Sequence, residues 1–320
     1  MCPSGVPYGR IIEHGRAEVE RLRRPNPRSV LVRQALRRLL AHPGRLAAAG
    51  GITRVAQRLR LTGLVPQGRT LPRLRGRYRP PAGVAPAAGE RRHRVAFLVG
   101  CVMPIFYREA HEASVRLLQE AGCEVWFAPE QRCCGALFAH NGDLEGARRL
   151  RDHNQRAFGM EGFDALVVNS AGCGAHLKDF YPNLGPRVRD LTEFLAEIGL
   201  PAPRREQRLR VTYQDACHLA HAQRIRRQPR ELIAALPGVE LVEMAHPDIC
   251  CGSAGIYNVV QPEMSKRILE EKMDDLLATD PQVVVTANPG CQMQLDAGLR
   301  ARGRTDVRVL HLAELLAGAY

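Results

Sequence analysis

The feature that most constrains the fold of this 320-residue chain is a cysteine pattern that occurs twice. Adjacent cysteines followed by glycine are found in QRCCGALF (131–138) and again in DICCGSAG (248–255). Four cysteines of one copy correspond to four of the other at spacings of 116 to 118 residues: Cys101 and Cys217, Cys133 and Cys250, Cys134 and Cys251, Cys173 and Cys291. The flanking sequences agree, since RVAFLVGC (94–101) matches RVTYQDAC (210–217). The chain therefore contains two tandem copies of one unit.

Each copy alternates short apolar segments, typical of strands, with segments of helical spacing. In the first copy the pattern predicts strands at 94–100, 123–129 and 164–170, and helices at 111–122 and 144–158. In the second it predicts strands at 209–215, 239–245 and 281–287, and helices at 229–238 and 262–279. This alternation predicts an α/β fold of two tandem pseudo-symmetric repeats, each a small parallel sheet flanked by helices.

The positive charge is confined to the amino-terminal part of the chain. Residues 1–94 contain 21 Arg and 4 Glu, a balance of +17, whereas residues 95–320 contain 25 Lys+Arg and 29 Asp+Glu, a balance of −4. We therefore divide the chain into a basic helical arm (1–70), a Pro- and Arg-rich linker (71–93), repeat 1 (94–205) and repeat 2 (206–320).

The arm is predicted to form two or three Arg-rich amphipathic helices over residues 10–62, one of them ended by Pro43-Gly44. A solvated surface of Arg-rich composition is the simplest interpretation, since the chain has only three lysines. If the arm has a binding role, we expect partner subunits rather than nucleic acid, because Tyr8 and Tyr78 are the only aromatic residues of the arm and linker.

The ten cysteines indicate metal or redox chemistry rather than disulfides. No signal-peptide pattern and no long uncharged apolar run occurs, so we expect a cytoplasmic protein, peripheral at most at the inner face of a membrane. Thiols stay reduced in that compartment. The eight repeated cysteines each follow a predicted strand, and the carboxyl ends of parallel strands share one edge of a sheet. Four thiols per repeat should therefore converge.

Four thiolates suit either zinc or an iron–sulfur cluster. Adjacent cysteines fit poorly around one small ion, whereas a cluster offers several metal atoms, so we favour iron–sulfur ligation. Gly135 and Gly252 follow the pairs and are predicted to lie against the cluster, because glycine lets the backbone approach closely. Cys123, whose counterpart in the second copy is Val239, is predicted to be a core residue and not a ligand.

The pattern C-x31-CCG-x37-C, repeated as C-x32-CCG-x38-C, resembles the cysteine-rich CCG domains of several oxidoreductase components. These domains occur in heterodisulfide reductase, in lactate utilisation iron–sulfur proteins, in anaerobic glycerol-3-phosphate dehydrogenase and in the iron–sulfur subunit of glycolate oxidase. The segments YQDACHLAHAQRIRRQPRELI (213–233) and CPSGVPYG (2–9) look most like the last of these. The resemblance covers about residues 93–320.

The resemblance implies an electron-transfer subunit that is not catalytic alone. It implies one iron–sulfur cluster per repeat, 4Fe-4S in type, flavin-containing partner subunits that oxidise glycolate to glyoxylate, and a quinone or other membrane-side acceptor. The alternatives are a related component acting on lactate, glycerol 3-phosphate or a heterodisulfide, and a zinc-stabilised binding protein. No dinucleotide or phosphate-loop motif occurs, so NAD, flavin or ATP bound by this chain itself is not expected.

Two departures from the family pattern affect the expected ligands. The ferredoxin run C-x2-C-x2-C-x3-C-P is reduced here to Cys2-Pro3, so a ferredoxin half is expected to be absent, separate or lost through a misplaced start. The five-thiolate set of heterodisulfide reductase is reduced to four, because CGAH (173–176) and CQMQ (291–294) lack a second cysteine.

Several histidines lie near the cysteines in the sequence. His218, next to Cys217, is predicted to contact the cofactor, and His221 has either that role or a surface role. His140 and His246 are weaker candidates. We interpret His176 as a solvated histidine at a helix start, near the cluster but not a ligand.

Overall fold

The computed structural model describes residues 8–22, 27–40, 42–64, 71–159 and 162–320. Its helices are α1 (Tyr8–Leu22), α2 (Pro27–Leu40), α3 (Pro43–Arg58), α4 (Met103–Phe106), α5 (Arg108–Glu120), α6 (Ala136–Ala139), α7 (Leu144–Gly159), α8 (Ala171–Phe180), α9 (Leu191–Ile198), α10 (Arg227–Ala234), α11 (Tyr257–Val260), α12 (Pro262–Leu277), α13 (Pro289–Ala301) and α14 (Leu312–Ala317). Its strands are β1 (Val84–Ala85), β2 (His93–Phe97), β3 (Cys123–Trp126), β4 (Ala165–Val168), β5 (Val188–Asp190), β6 (Leu209–Tyr213), β7 (Val239–Leu241), β8 (Val283–Thr286) and β9 (Arg308–His311).

The two repeats form two sheets with the same parallel core. The first sheet has the order β1-β3-β2-β4-β5 and the second has the order β7-β6-β8-β9. In register, Val95 of β2 lies beside Val125 of β3 and Ala165 of β4, and Val211 of β6 lies beside Val283 of β8. The predicted α/β class and tandem repeats are confirmed. The strands are shorter than predicted, because their last apolar residues enter the loops that carry the cysteines.

Each repeat also ends in a strand and a helix that the periodicity analysis did not assign. β5 and α9 close the first repeat, and β9 and α14 close the second. A capping box starts each helix, with the side chains of Asp190 and His311 accepting hydrogen bonds from the first turn and Glu193 and Glu314 bonding back. These reciprocal bonds satisfy the amide groups that a helix start leaves free.

The terminal helix of each repeat packs on the other repeat. Helix α14 lies against α5, and α9 lies against α10. One apolar cluster accordingly contains Val95 and Leu117 from repeat 1 together with Val211 and Leu316 from repeat 2. The repeats therefore share a core, and neither buries its own apolar surface completely without the other.

The segment predicted as a linker packs along repeat 1. Leu74 and Tyr78 are buried, and β1 pairs antiparallel with β3, so that Val84 lies opposite Trp126. This short strand is the one antiparallel pairing in the described sheets. The domain limits inferred from sequence are not tested by these contacts and stay a prediction.

The basic arm forms the helices that its periodicity predicts. Pro43 starts α3 rather than only ending α2, which stops at Leu40, because proline is accommodated at a first helical turn where no amide donor is needed. Polar contacts attach the arm to repeat 1: Arg10 to Asp179, Glu13 to His140 and Arg37 to Asp143. Among the described helices, none has the length and apolar character needed to span a bilayer.

Leu316→Ala tests whether the repeats form one folding unit. Leu316 is 1% exposed in the shared core, so its truncation should lower the free energy of unfolding by about 2–5 kcal/mol. Urea denaturation should still show a single transition. The matched control is Leu22→Ala on α1, where the side chain is 78% exposed and a small change is expected. Two separate transitions would contradict a shared core.

Candidate functional site

The four repeated thiols of repeat 1 meet at the carboxyl edge of its sheet. Cys101 lies in the loop after β2, the pair lies in the loop after β3, and Cys173 lies in the first turn of α8. The Cys101 Sγ lies 3.3 Å from the Cys133 Sγ, and the Cys134 Sγ lies 3.1 Å from the Cys173 Sγ. Both members of the pair are buried, with exposures of 1% and 2%.

Repeat 2 brings together the corresponding thiols. The four side chains of Cys217, Cys250, Cys251 and Cys291 line one cavity. The Gly252 N–H points at the Cys250 Sγ at 3.3 Å, and the Asn288 side-chain amide points at the Cys291 Sγ at 3.4 Å. The convergence predicted from the sequence is thus present in both copies.

The two thiol sets line one common cavity of about 360 Å³ between the repeats, which we call the thiol cavity. All eight repeated cysteines border it. The starts of α8 and α13 meet beside it, where the Ala171 N–H donates to the Ala287 carbonyl at 3.0 Å and the Gly172 N–H donates to the Asn288 side chain at 3.2 Å. Sequence repetition indicated one thiol set per repeat, but their common cavity follows only from how the repeats pack.

The glycine after each pair adopts a backbone conformation that other residues avoid. Gly135 has φ of 93° and Gly252 has φ of 85°. A Cβ on Gly252 would lie 2.5 Å from the Ser265 carbonyl oxygen, and one on Gly135 would lie 3.3 Å from the Ala147 carbonyl oxygen. Both glycines are therefore required by left-handed backbone and by close packing on the following helix.

Buried polar side chains hold the loops that carry the pairs. In repeat 1, Asn154 on α7 donates to the Cys133 carbonyl at 3.0 Å, and the Tyr181 hydroxyl donates to the Cys134 carbonyl at 2.7 Å. In repeat 2, the fully buried Lys272 on α12 donates to the His246 carbonyl at 2.7 Å. No local sequence pattern marks these residues as part of the site, although Asn154 and Lys272 occupy corresponding positions 118 residues apart.

In each repeat the pKa of the first thiol of the pair is lowered, which favours its thiolate form. Hydrogen bonds from Cys101 and Cys134 lower the pKa of Cys133 well below its usual range, and they outweigh its burial. The corresponding hydrogen bonds lower the pKa of Cys250 to about 2. The same bonds, together with burial, raise the pKa of the donating thiols. Thiolate is the form of cysteine that binds metals.

The expectation that His176 is solvated is wrong. It is 5% exposed, its ring stacks on Phe180 with centroids 4.8 Å apart, and burial lowers its pKa to about 4. Helix α8 turns this face towards Gly135, where a Cβ would lie 3.4 Å from the His176 Nε2. The His176 side chain is buried because the loop that carries Cys133, Cys134 and Gly135 packs over α8. The position of His176 near a helix start does not indicate this packing.

His218 borders the thiol cavity, with its Nδ1 3.5 Å from the Cys217 Sγ. Its ring lies 5.1 Å from the ring of His140, centroid to centroid, and burial lowers the pKa of His218 to about 4. His140 in turn is hydrogen-bonded through Nδ1 to Glu13 of the arm at 2.8 Å. The arm thus contributes a carboxylate to the site, which the sequence analysis did not anticipate.

The remaining candidates lie away from the thiol cavity or outside the described residues. The partly exposed side chain of His221 contacts Arg226 at 3.0 Å, and His246 contributes its carbonyl to Lys272. Cys123 lies fully buried at the start of β3 in the shared core, as expected of a structural cysteine. Cys2 lies outside the described residues.

The donor set of the cavity fits an iron–sulfur cluster better than a single ion. Soft thiolate ligands suit both zinc and iron–sulfur clusters. No group of three or more His, Cys, Asp or Glu side chains within the described ranges is arranged to hold one metal ion. The thiols instead line a wider cavity of about 360 Å³, to which each repeat contributes four of them.

Comparison with known proteins also finds two copies of a cysteine-rich domain and relatives that are named iron-sulfur subunits. The profile of the cysteine-rich domain (CCG) matches residues 95–178 and 211–296. The probable glycolate oxidase iron-sulfur subunit of Bacillus subtilis is 34% identical, over 99% of this chain and 79% of that protein. The glycolate oxidase iron-sulfur subunit of Escherichia coli is 30% identical, over 96% and 76% respectively. A component of the fumarate reductase (CoM/CoB) of Methanothermobacter marburgensis is 35% identical, over 71% of this chain and 46% of its own length.

Gly252→Ala should disrupt the second CCG loop. Positive φ alone costs about 1–2 kcal/mol in an alanine, and overpacking against the Ser265 carbonyl should add about 1–3 kcal/mol. Gly83→Ala is the matched control, because Gly83 has φ of 81° and open space around the new Cβ. The free energies of unfolding in urea separate the two effects. Equal destabilisation of both variants would show that the close approach at Gly252 is unimportant.

Proposed function

This chain belongs to the cysteine-rich domain family that includes glycolate oxidase iron-sulfur subunits, and we propose that it is the electron-transfer subunit of a glycolate-oxidising complex. The observation that carries the proposal is the single cavity lined by two corresponding sets of four thiols. A cavity of this kind suits the transfer of electrons between two cofactors held close together.

We assign the cluster ligands to the eight repeated cysteines, four to each iron–sulfur cluster. The first set is Cys101, Cys133, Cys134 and Cys173, and the second is Cys217, Cys250, Cys251 and Cys291. When bound, an iron–sulfur cluster accepts and releases single electrons at a potential set by its charge, its hydrogen bonds and its exposure to solvent. Neither repeat offers a further cysteine at position 176 or 294, which favours ordinary 4Fe-4S clusters.

The chain's own residues control the surroundings of those sulfurs. The Gly252 N–H and the Asn288 amide donate to thiol sulfurs, and such bonds stabilise the more negative, reduced form of a bound cluster. Burial of Cys133, Cys134 and Cys251 limits access of water. Asn154 and Lys272 hold the loops in place, so the ligands do not rearrange when the charge of the site changes.

The proposed substrate and partners are supported by the named relatives and by the motifs of the sequence. The sequence has no dinucleotide or phosphate-loop motif, so oxidation of glycolate to glyoxylate is assigned to flavin-containing partner subunits. We assign to this chain the passage of electrons one at a time towards a quinone or another membrane-side acceptor.

A second candidate is a related complex with another substrate. The similarity to a component of fumarate reductase (CoM/CoB) favours keeping this alternative. Assay of the intact complex with glycolate, lactate, glycerol 3-phosphate and a thiol heterodisulfide distinguishes the two proposals. Turnover of glycolate at a higher kcat/KM than the other compounds supports the first.

Cys134→Ser and Cys251→Ser test the ligand assignment. Anaerobically purified wild-type chain should contain about eight iron atoms and eight acid-labile sulfides, and each variant should contain about half as much. EPR spectra before and after dithionite should show the loss or shift of a different signal in each variant. Cys123→Ser is the matched control, since this buried thiol lies in the core strand β3.

Two results would contradict the assignment. Unchanged iron, sulfide and EPR spectra in both variants would show that the pairs are not ligands. A colourless wild-type chain that contains zinc and no acid-labile sulfide would replace the electron-transfer proposal with a structural role for the thiols.

A further inference from the structure

Residues 71–80, LPRLRGRYRP, have no regular secondary structure and carry arginine at every second position from Arg73 to Arg79. Its buried residues are Pro72, Leu74 and Tyr78, whereas the arginines between and beyond them are exposed. In extended chain, side chains alternate between two sides. Buried and exposed side chains alternate in the same way along most of this segment, so four arginines project towards solvent: Arg73, Arg75, Arg77 and Arg79. We call these four residues the arginine row.

The segment is held against the protein at defined points. The Gln57 side chain on α3 donates to the Pro72 carbonyl at 2.8 Å and accepts from the Leu74 N–H at 2.8 Å. The Tyr78 N–H donates to the Pro104 carbonyl at 2.6 Å, and the Tyr78 ring packs on His111. These contacts fix the backbone from which the arginine row projects.

The arginine row borders two adjoining clefts of about 430 and 910 Å³. Arg54, Leu74 and Arg75 line both clefts. Among the residues that the structure describes, the two clefts are lined by nine arginines and by no Asp or Glu: Arg54, Arg58, Arg60, Arg73, Arg75, Arg77, Arg79, Arg108 and Arg300. We call these nine residues the arginine surface.

Carboxylates of the described residues leave most of this charge without an ion-pair partner. Arg75, Arg108 and Arg300 have carboxylate partners in Glu109, Glu112 and Asp296. The other six arginines have no carboxylate partner among the described residues. Guanidinium groups held close together repel one another, so the surface is suited to a ligand that supplies several negative charges.

We propose that the arginine surface docks an acidic segment of a redox partner protein, an inference that rests on the proposed electron-transfer function. Alternate residues of an extended strand are roughly 6.6 Å apart, so an extended acidic segment with a carboxylate at every second residue matches the row. Each guanidinium can bind a carboxylate through two parallel hydrogen bonds.

The position of the surface agrees with a redox partner. Leu71 lines both the larger arginine cleft and the thiol cavity. Helix α4 contributes Ile105 to the smaller cleft and Met103 to the thiol cavity. A partner protein docked at the arginine surface therefore lies beside the cavity through which, on the proposed function, electrons enter or leave.

The composition of the clefts favours protein over nucleic acid. Binding of single-stranded nucleic acid combines positive charge with aromatic side chains on which bases stack. No aromatic residue lines either cleft in the described part of the chain, and Tyr78 faces the protein interior. The surface thus has the charge but not the stacking groups that a nucleic-acid site uses.

The test compares binding of defined probes to matched variants of the full chain. The probe is a fluorescent peptide of about twelve residues with alternating glutamate and serine, followed by anisotropy. The test variant carries Arg73→Gln, Arg75→Gln, Arg77→Gln and Arg79→Gln. The control carries Arg148→Gln, Arg149→Gln, Arg227→Gln and Arg267→Gln, which remove the same charge from exposed helical positions. A peptide with glutamine in place of glutamate and a single-stranded DNA of equal charge are the reference probes.

We expect the test variant to bind the acidic peptide at least about tenfold more weakly than wild type, and the control to change by less than about twofold. Equal loss in both variants would overturn the proposal, because net charge alone would then explain binding. Tighter binding of the DNA than of the peptide, with the same dependence on the arginine row, would also overturn it in favour of a nucleic-acid site.

Two further measurements keep the outcome interpretable. If the fourfold variant does not fold by circular dichroism, Arg54→Gln with Arg58→Gln on α3 replaces it, and unchanged peptide affinity in that variant overturns the proposal. Iron and sulfide are measured in every variant. Normal cluster content with lost peptide binding supports docking, whereas peptide binding by a chain that carries no iron leaves docking intact and refutes the electron-transfer role.

Discussion

The structure depends on bringing eight cysteine side chains to one cavity while buried backbone carbonyls around them keep hydrogen-bond partners. Loops that carry adjacent cysteines between strand and helix are irregular, and their carbonyl groups have no ladder partners. Buried carbonyls need hydrogen bonds, and here Asn154, Tyr181 and Lys272 supply them from neighbouring segments. Gly135 and Gly252 complete the same arrangement, since the loops approach the following helices too closely for a Cβ.

The packing of each repeat's terminal helix against the other repeat explains why the two thiol sets share a cavity. Helix α14 of repeat 2 packs on α5 of repeat 1, and α9 packs on α10 in the corresponding way. This reciprocal packing turns the carboxyl edges of the two sheets towards each other, and the hydrogen bond from Ala171 to Ala287 closes the gap between them. If the two copies were joined only by a flexible linker, no packing contact would hold their cysteines on opposite sides of one cavity.

The arm and the predicted linker both contact repeat 1 through specific hydrogen bonds and buried side chains. Glu13 reaches His140 at the border of the thiol cavity, and Gln57 pins the segment that presents the arginine row. The excess positive charge of residues 1–94 is thereby concentrated, in part, on a defined surface beside the cavity instead of being spread over solvated helices.

Sequence by itself determined the two repeats, the order of most strands and helices, the eight cysteines and their glycines. These features depend on local periodicity and on residue types whose chemistry is specific, so spacing alone revealed them. Only the tertiary structure decided that both thiol sets border one cavity, that His176 is buried, and that Lys272 and Asn154 hold the loops. Those facts arise from packing between segments far apart in the chain, where no local pattern records which residues meet.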